Sequence, residues 1–146
     1  MGFKTWTAVF TLSDIQDPPE EIEVAINGFI GAELQRRIRP LLVAKGWGFE
    51  AATAEDHGWH ASAALDDDGK RITASLVTGP ELEAAPDGRA LEDRWRVVIG
   101  LDLGLLPRTK TRRTALMTRL ARDVDDACRA LGAVDMDWEN GALSAG

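Results

Sequence analysis

Two alternating runs flank an acidic glycine turn, and this pairing constrains the chain more than any other feature. Trp59, Ala61, Ala63 and Leu65 alternate with His60, Ser62, Ala64 and Asp66. After Asp66-Asp67-Asp68-Gly69 the pattern returns over Arg71 to Thr78, with Ile72, Ala74 and Leu76 on one face. Period-two alternation marks strands with one buried side. Gly69 supplies the positive φ that a tight turn needs. An antiparallel hairpin is therefore expected at the centre of the chain. The acidic turn lacks the ligand spacing and the distal glutamate of a helix-loop-helix calcium site, so it reads as a solvated turn.

Three further stretches read as strands. Phe3 to Leu12 alternates, and Trp6, Phe10 and Leu12 give it a core face. Trp47 to Ala54 is a short candidate. Arg94 to Leu103 places Trp95, Val97, Ile99 and Leu101 inward and Arg94, Arg96 and Asp102 outward. Gly79 to Leu91, with Gly79-Pro80, Pro86 and Asp87-Gly88, reads as a loop.

Two stripes have helical period. Ile22, Ile26, Phe29, Ile30, Leu34, Ile38, Leu41 and Leu42 follow Pro18-Pro19 and a glutamate-rich first turn, both favourable at a helix start. Asn27-Gly28, Gly31 and Pro40 interrupt the run, which predicts one bent helix or two shorter ones, closed by Gly46. Leu116, Met117, Leu120, Val124, Ala127, Cys128 and Leu131 form the second stripe. It follows Pro107, with Thr109 or Thr111 as the cap and Gly132 beyond its end.

The expected order is β-α-β-β-β-β-α. It gives an α+β two-layer sandwich, with a mainly antiparallel sheet of four to five strands and two helices packed on one face. Residues 1–138 form a single globular domain, and residues 139–146 a flexible C-terminal tail.

Charge and cysteine content narrow the function. The net charge is −7, which opposes non-specific attraction to nucleic acid and to anionic membranes. The segment from Arg108 to Arg129 is nonetheless +4, so the rest carries −11. No apolar run reaches the ~18 residues of a membrane span, and no basic-then-apolar leader is visible at the N-terminus. The single cysteine, Cys128, lies on a helical core stripe and forms no internal disulfide, which suits a reducing compartment. The expected location is cytoplasmic, without a membrane and without a bound cofactor.

The densest chemistry is Glu55-Asp56-His57-Gly58-Trp59-His60, which holds both histidines. Zinc needs three or four ligands, and here there are two nitrogens. Adjacent Asp56 and His57 have the residue types of an acid–base pair but no accompanying nucleophile. No catalytic set is recognisable, and an enzyme is not expected. Trp47 and Trp59, set among glycines at strand edges, are the tryptophans expected to be partly exposed, and exposed tryptophan is a common interface anchor. Glu55, Asp56, His57, Trp59 and His60 are thus the candidate binding residues.

A second candidate is the basic start of the last helix, Arg108, Lys110, Arg112 and Arg113. Cations there oppose the helix dipole. Pairing with the acid-rich remainder accounts for them, and nucleic acid is an unlikely partner. The leading expectation is a small non-enzymatic protein-interaction or regulatory module, with a protein partner or self-association as a homodimer. Small-ligand or divalent-metal binding by the 55–60 loop is the alternative, and nucleic-acid binding through the basic helix start a further one.

Overall fold

A computed structural model describes residues 4–25, 29–55, 58–67, 69–102 and 110–139; the side chains of Lys4, Val24 and Lys110 are outside that description. The elements run β1 (Lys4–Thr11), α1 (Pro19–Val24), α2 (Ala32–Val43), β2 (Thr53–Glu55), β3 (Gly58–Asp67), β4 (Lys70–Pro80), β5 (Arg94–Asp102), α3 (Lys110–Ala130) and β6 (Val134–Glu139). The strands form one sheet in the order β2-β3-β4-β5-β1-β6, with all neighbours antiparallel.

The α+β class matches the sequence pattern. The strand count does not: six strands stand where four to five were expected, with three helices in place of two. The added strand is β6. Its acidic positions (Asp135, Asp137, Glu139) lie along a sheet edge, where charge discourages further pairing; they alternate with Val134, Met136 and Trp138, a period-two signal that the sequence carries over only six residues. Trp138, opposite Ala8 of β1, is its buried anchor. The first helical stripe divides into α1 and α2. Gly31, which reads as a helix weakener, is the residue from which α2 starts.

The core lies on one side of the sheet. Trp6, Ala8 and Phe10 of β1, Trp95, Val97 and Ile99 of β5, and Ile72, Ala74 and Leu76 of β4 are buried in a single cluster. With them are Leu34, Ile38 and Leu42 of α2 and Leu116, Leu120 and Val124 of α3. The intervening strand residues point the other way, as alternation requires. No described helix covers them, and no described helix is long and apolar enough to cross a membrane.

Two contacts fix the start of α2, one from the segment before α1 and one from β4. The Asp17 carboxylate accepts hydrogen bonds from the backbone N–H groups of Gly31 (3.0 Å), Ala32 (3.1 Å) and Glu33 (3.0 Å), capping the helix from a distance. Gly31 has φ 140°, and a Cβ there would stand 2.4 Å from the Thr78 carbonyl oxygen, so only glycine lets the chain pass this close to β4. The Thr78 hydroxyl donates to the Gly31 carbonyl at 2.8 Å.

The segment after β4 is more structured than a loop reading implies. Ala84 and Ala90 form a β-bridge, and a tight turn follows in which Asp93 N–H donates to the Ala90 carbonyl at 3.0 Å and Glu92 and Asp93 have positive φ. Asp17 N–H donates to the Gly88 carbonyl at 2.9 Å and the Gln16 side-chain amide to Asp87 O at 2.6 Å, tying the excursion to the stretch before α1. Of the expected tail, residues 139–146, Glu139 belongs to β6, and residues 140–146 lie outside the described residues, as do Asn27-Gly28, the turn residue Asp68 and the cap candidate Thr109.

Candidate functional site

The strand pairing separates the residues that the sequence groups at positions 55–60. Glu55 ends β2 and His60 lies on β3; Asp56 and His57 lie outside the described residues. Trp59 faces the helices and His60 the opposite side, because neighbours on a strand alternate. Trp59 is 6% exposed, and its indole N–H donates to the Phe29 carbonyl at 3.2 Å. Its own carbonyl accepts from Gln35 Nε2 at 2.7 Å. The expectation of an exposed Trp59 anchor is therefore corrected: Trp59 is a core residue.

Trp47 is corrected in the same way. It is 0% exposed, donates Nε1–H to Asp123 Oδ2 at 2.8 Å, and carries the Arg119 guanidinium over its ring at 4.8 Å. The neighbouring glycines are not a sign of exposure, and each has its own setting: Gly48 faces open space, whereas Gly58 is closely packed. Gly46 (φ 97°) turns the chain at the end of α2. Gly58 (φ 143°) would bring a Cβ to 2.7 Å from Thr78 O.

The basic helix start divides too. Arg108 lies outside the described residues, as does the Lys110 side chain. Arg112 forms an ion pair with Asp67, its Nε 3.2 Å from Asp67 Oδ2. Asp67 is a strand residue, 5% exposed, and not simply a solvated turn acid. Arg113 is exposed. Pairing with acids elsewhere in the chain is thus observed for Arg112.

Glu55 and His60 meet other residues on the uncovered face of the sheet. The register places His60 beside Val77, Val77 beside Val98, and Val98 beside Thr7. A parallel row sets Ser62 beside Ser75, Ser75 beside Gly100, and Gly100 beside Thr5. On the other flank, Glu55 faces Gly58 and Gly79 faces Arg96. The small residues lower the surface between the larger ones, leaving a hollow of about 370 Å³. Val77 and Val98 line it together with Ser75, Thr5 and Gly79. Glu55, His60 and Arg96 complete the lining. That volume falls within the range of small-molecule sites.

No protein-family model, curated protein or solved structure matches this chain.

The polar groups of the hollow differ in how far they are engaged. Glu55 Oε2 accepts from the Thr53 hydroxyl at 3.3 Å. Arg94, two residues before Arg96 on the same face, is tied to Glu81 (2.8 Å) and to the Thr11 hydroxyl (3.0 Å), and the Glu81 contact raises its already high pKa. Arg96 has no hydrogen bond or ion pair among the described residues. No group of three or more His, Cys, Asp or Glu stands close enough to share a metal ion among the described residues. Cys128 is buried, and desolvation pushes its thiol well above the ordinary range, which suppresses the reactive thiolate.

Sequence reasoning reached Glu55 and His60 through their cluster and read Arg96 as outward-facing. It did not connect Arg96 to them. That connection depends on strand order, which brings β5 next to β4 and so within two strands of His60.

Proposed function

We propose that this chain is a non-enzymatic binding module that holds a small ligand on the uncovered face of its sheet. The supporting observation is the hollow over Val77 and Val98, where Glu55, His60 and Arg96 share one concave surface. An apolar floor with a few polar side chains at the margin is the usual composition of a ligand site. Among the described residues, neither hydroxyl of the hollow, Ser75 or Thr5, is hydrogen-bonded to His60 or Glu55 as an activated nucleophile would be.

A melting-temperature screen with metabolites and divalent ions tests this reading, run on wild type and on Ser75→Trp, whose indole fills the hollow. A ligand at a hundred times its Kd adds about 2.7 kcal/mol to stability. The expected result is a compound that raises the melting temperature of wild type by several degrees and leaves Ser75→Trp unmoved. If no compound shifts wild type, or if every shift persists in Ser75→Trp, the hollow is not the site.

A second reading is a protein partner, or a second copy of the chain, laid across the same face. It is favoured by the extent of the uncovered surface, which continues past the hollow to Thr7 on β1 and to Asp137 and Glu139 opposite β1 on β6. Light scattering across a concentration series separates the two, since self-association raises the apparent mass while a small ligand does not.

A further inference from the structure

The hollow also carries information about the chemistry of its occupant; this inference rests on the reading that the hollow is a ligand site. Across β2 to β5 one line of the uncovered face runs from Glu55 to Arg96. Glu55 is opposite Gly58, and Gly79 is opposite Arg96. The β3–β4 register, with Trp59 opposite Thr78, brings Gly58 next to Gly79. Opposite charges therefore stand at the two ends of a line whose middle has no side chains. The ends are three strand spacings apart, roughly 14 Å between backbones at ~4.8 Å per strand, and less between the charged heads once both side chains lean inward. Beside the line, Val77 and Val98 supply an apolar strip.

The two charges are not satisfied by each other or by close neighbours. Arg94, on the same strand and face, already holds Glu81 and Thr11. Arg96 holds nothing among the described residues, and Val9 separates it from Asp137 across β1. Glu55 takes a single hydroxyl contact of 3.3 Å.

We infer that the occupant is a small amphoteric molecule, with an ammonium group at Glu55, a carboxylate at Arg96 and an apolar middle against Val77 and Val98. A guanidinium presents a planar fork suited to a carboxylate, and a carboxylate accepts from an ammonium through a charge-assisted bond. An ω-amino acid or a short apolar peptide has this form. A simple organic anion would leave Glu55 facing an apolar chain, and a simple amine would leave Arg96 in that position.

The test is calorimetric titration of the full chain with ε-aminocaproate and glycylvaline, beside caproate and hexylamine, each of which keeps one charge. The amphoteric probes are expected to bind at least tenfold more tightly than either single-charge analogue. Arg96→Gln is expected to weaken them about tenfold and to abolish their advantage over hexylamine. Glu55→Gln is expected to abolish their advantage over caproate. Both residues are at the surface of the sheet, and far-UV circular dichroism checks that each variant folds. Equal binding of caproate or hexylamine, or unchanged affinity in both variants, overturns the inference. If the amphoteric probes fail while another compound gives a shift that Ser75→Trp removes, the ligand class is wrong and the hollow stands as a site. If no compound of any kind binds, both readings fall.

Discussion

Asp17 does more for this fold than a loop acid would. It is 1% exposed, and its two oxygens satisfy three of the N–H groups that the start of α2 leaves without intrahelical partners. Burial pushes its carboxyl above the usual range, against the pull of the three donors and with a smaller push from nearby Glu21. Asp17→Ala is expected to cost about 2–3 kcal/mol, since a lost cap and newly unsatisfied buried donors both count against it. Asp17→Asn, with one acceptor oxygen, should cost less. Urea midpoints at constant slope measure both. A change below ~0.5 kcal/mol for Asp17→Ala would mean that the helix start is held by other contacts.

Cys128 gives a pH prediction at the same scale. Its ordinary pKa is 9.0, and in the folded chain it lies far higher because the thiol is desolvated. Above roughly pH 9 the unfolded chain releases a proton that the folded chain keeps. Stability must then fall as pH rises, by up to ~1.4 kcal/mol per pH unit for this group. Compared with Cys128→Ala between pH 8 and 10, wild type should lose stability faster. Parallel curves would show that the thiol does not contribute.

The residues hardest to read from sequence are those whose role is set by a distant partner. Gln35 is fully buried and donates to Trp59 O (2.7 Å) and Leu76 O (3.3 Å). Only its place one residue after Leu34 on the helical stripe hints at this. Asp17 offers no local signal at all. Trp59 was misleading because a glycine neighbour suggests looseness, whereas Gly58 is there to let β3 approach the Thr78 carbonyl.

At the scale of elements, α3 connects to its surroundings through tryptophan. Trp47, just past α2, donates to Asp123, and Trp138 of β6 donates to Asp125 at 2.9 Å. Both acids lie on the flank of the apolar stripe of α3, so two indoles use the same helix as an acceptor rail. A double-mutant cycle of Trp47→Phe with Asp123→Ala should show a coupling of about 1 kcal/mol or more, a hydrogen bond to a charged group being worth roughly 1.5–3 kcal/mol. Additive effects would mean that the pair is packed together without a bond. Trp59→Ala belongs here too. It removes a core side chain that joins β3 to the stretch before α2, with an expected loss of about 3–5 kcal/mol.

Periodicity identified most of the elements. The central hairpin, β1, β5 and α3 were all legible, because each has a continuous stripe and a clear end, such as Gly132 (φ 109°) after α3. One candidate is misplaced and one strand is missing from the sequence pattern. Trp47 to Ala54 shares only Thr53 and Ala54 with β2 (Thr53–Glu55), and residues 47–52 are irregular. β6 alternates apolar and acidic residues, but over six positions only. Arg96 could be assigned a direction from its strand, but its place beside the Glu55–His60 pair required the sheet order, which alternation does not encode.

For the molecule as a whole, the decisive fact is that one cluster holds residues of all the long elements. Such a chain should unfold in one step, since no part has a core of its own. Tryptophan fluorescence and far-UV circular dichroism should therefore give coincident urea transitions. Separate midpoints would point to a subdomain that loosens first. The sheet's opposite face adds little to that core, so Glu55→Gln, Arg96→Gln and Ser75→Trp can change binding while leaving the transition near that of wild type.

The position of β1 in the sheet also has a consequence in time. It is the first strand to leave the ribosome, yet both its neighbours, β5 and β6, come from the second half of the chain. Thr11 and its partner Arg94 are 83 residues apart. At translation rates of ~5–20 residues per second, that interval is roughly 4–17 s. For that long a strand bearing Trp6 and Phe10 has neither edge occupied, and its first docking site is complete only once Asp102 has emerged. Of the strands in this sheet β1 waits longest for its partners, and a chaperone that shields the nascent chain would be expected to act on residues 4–12.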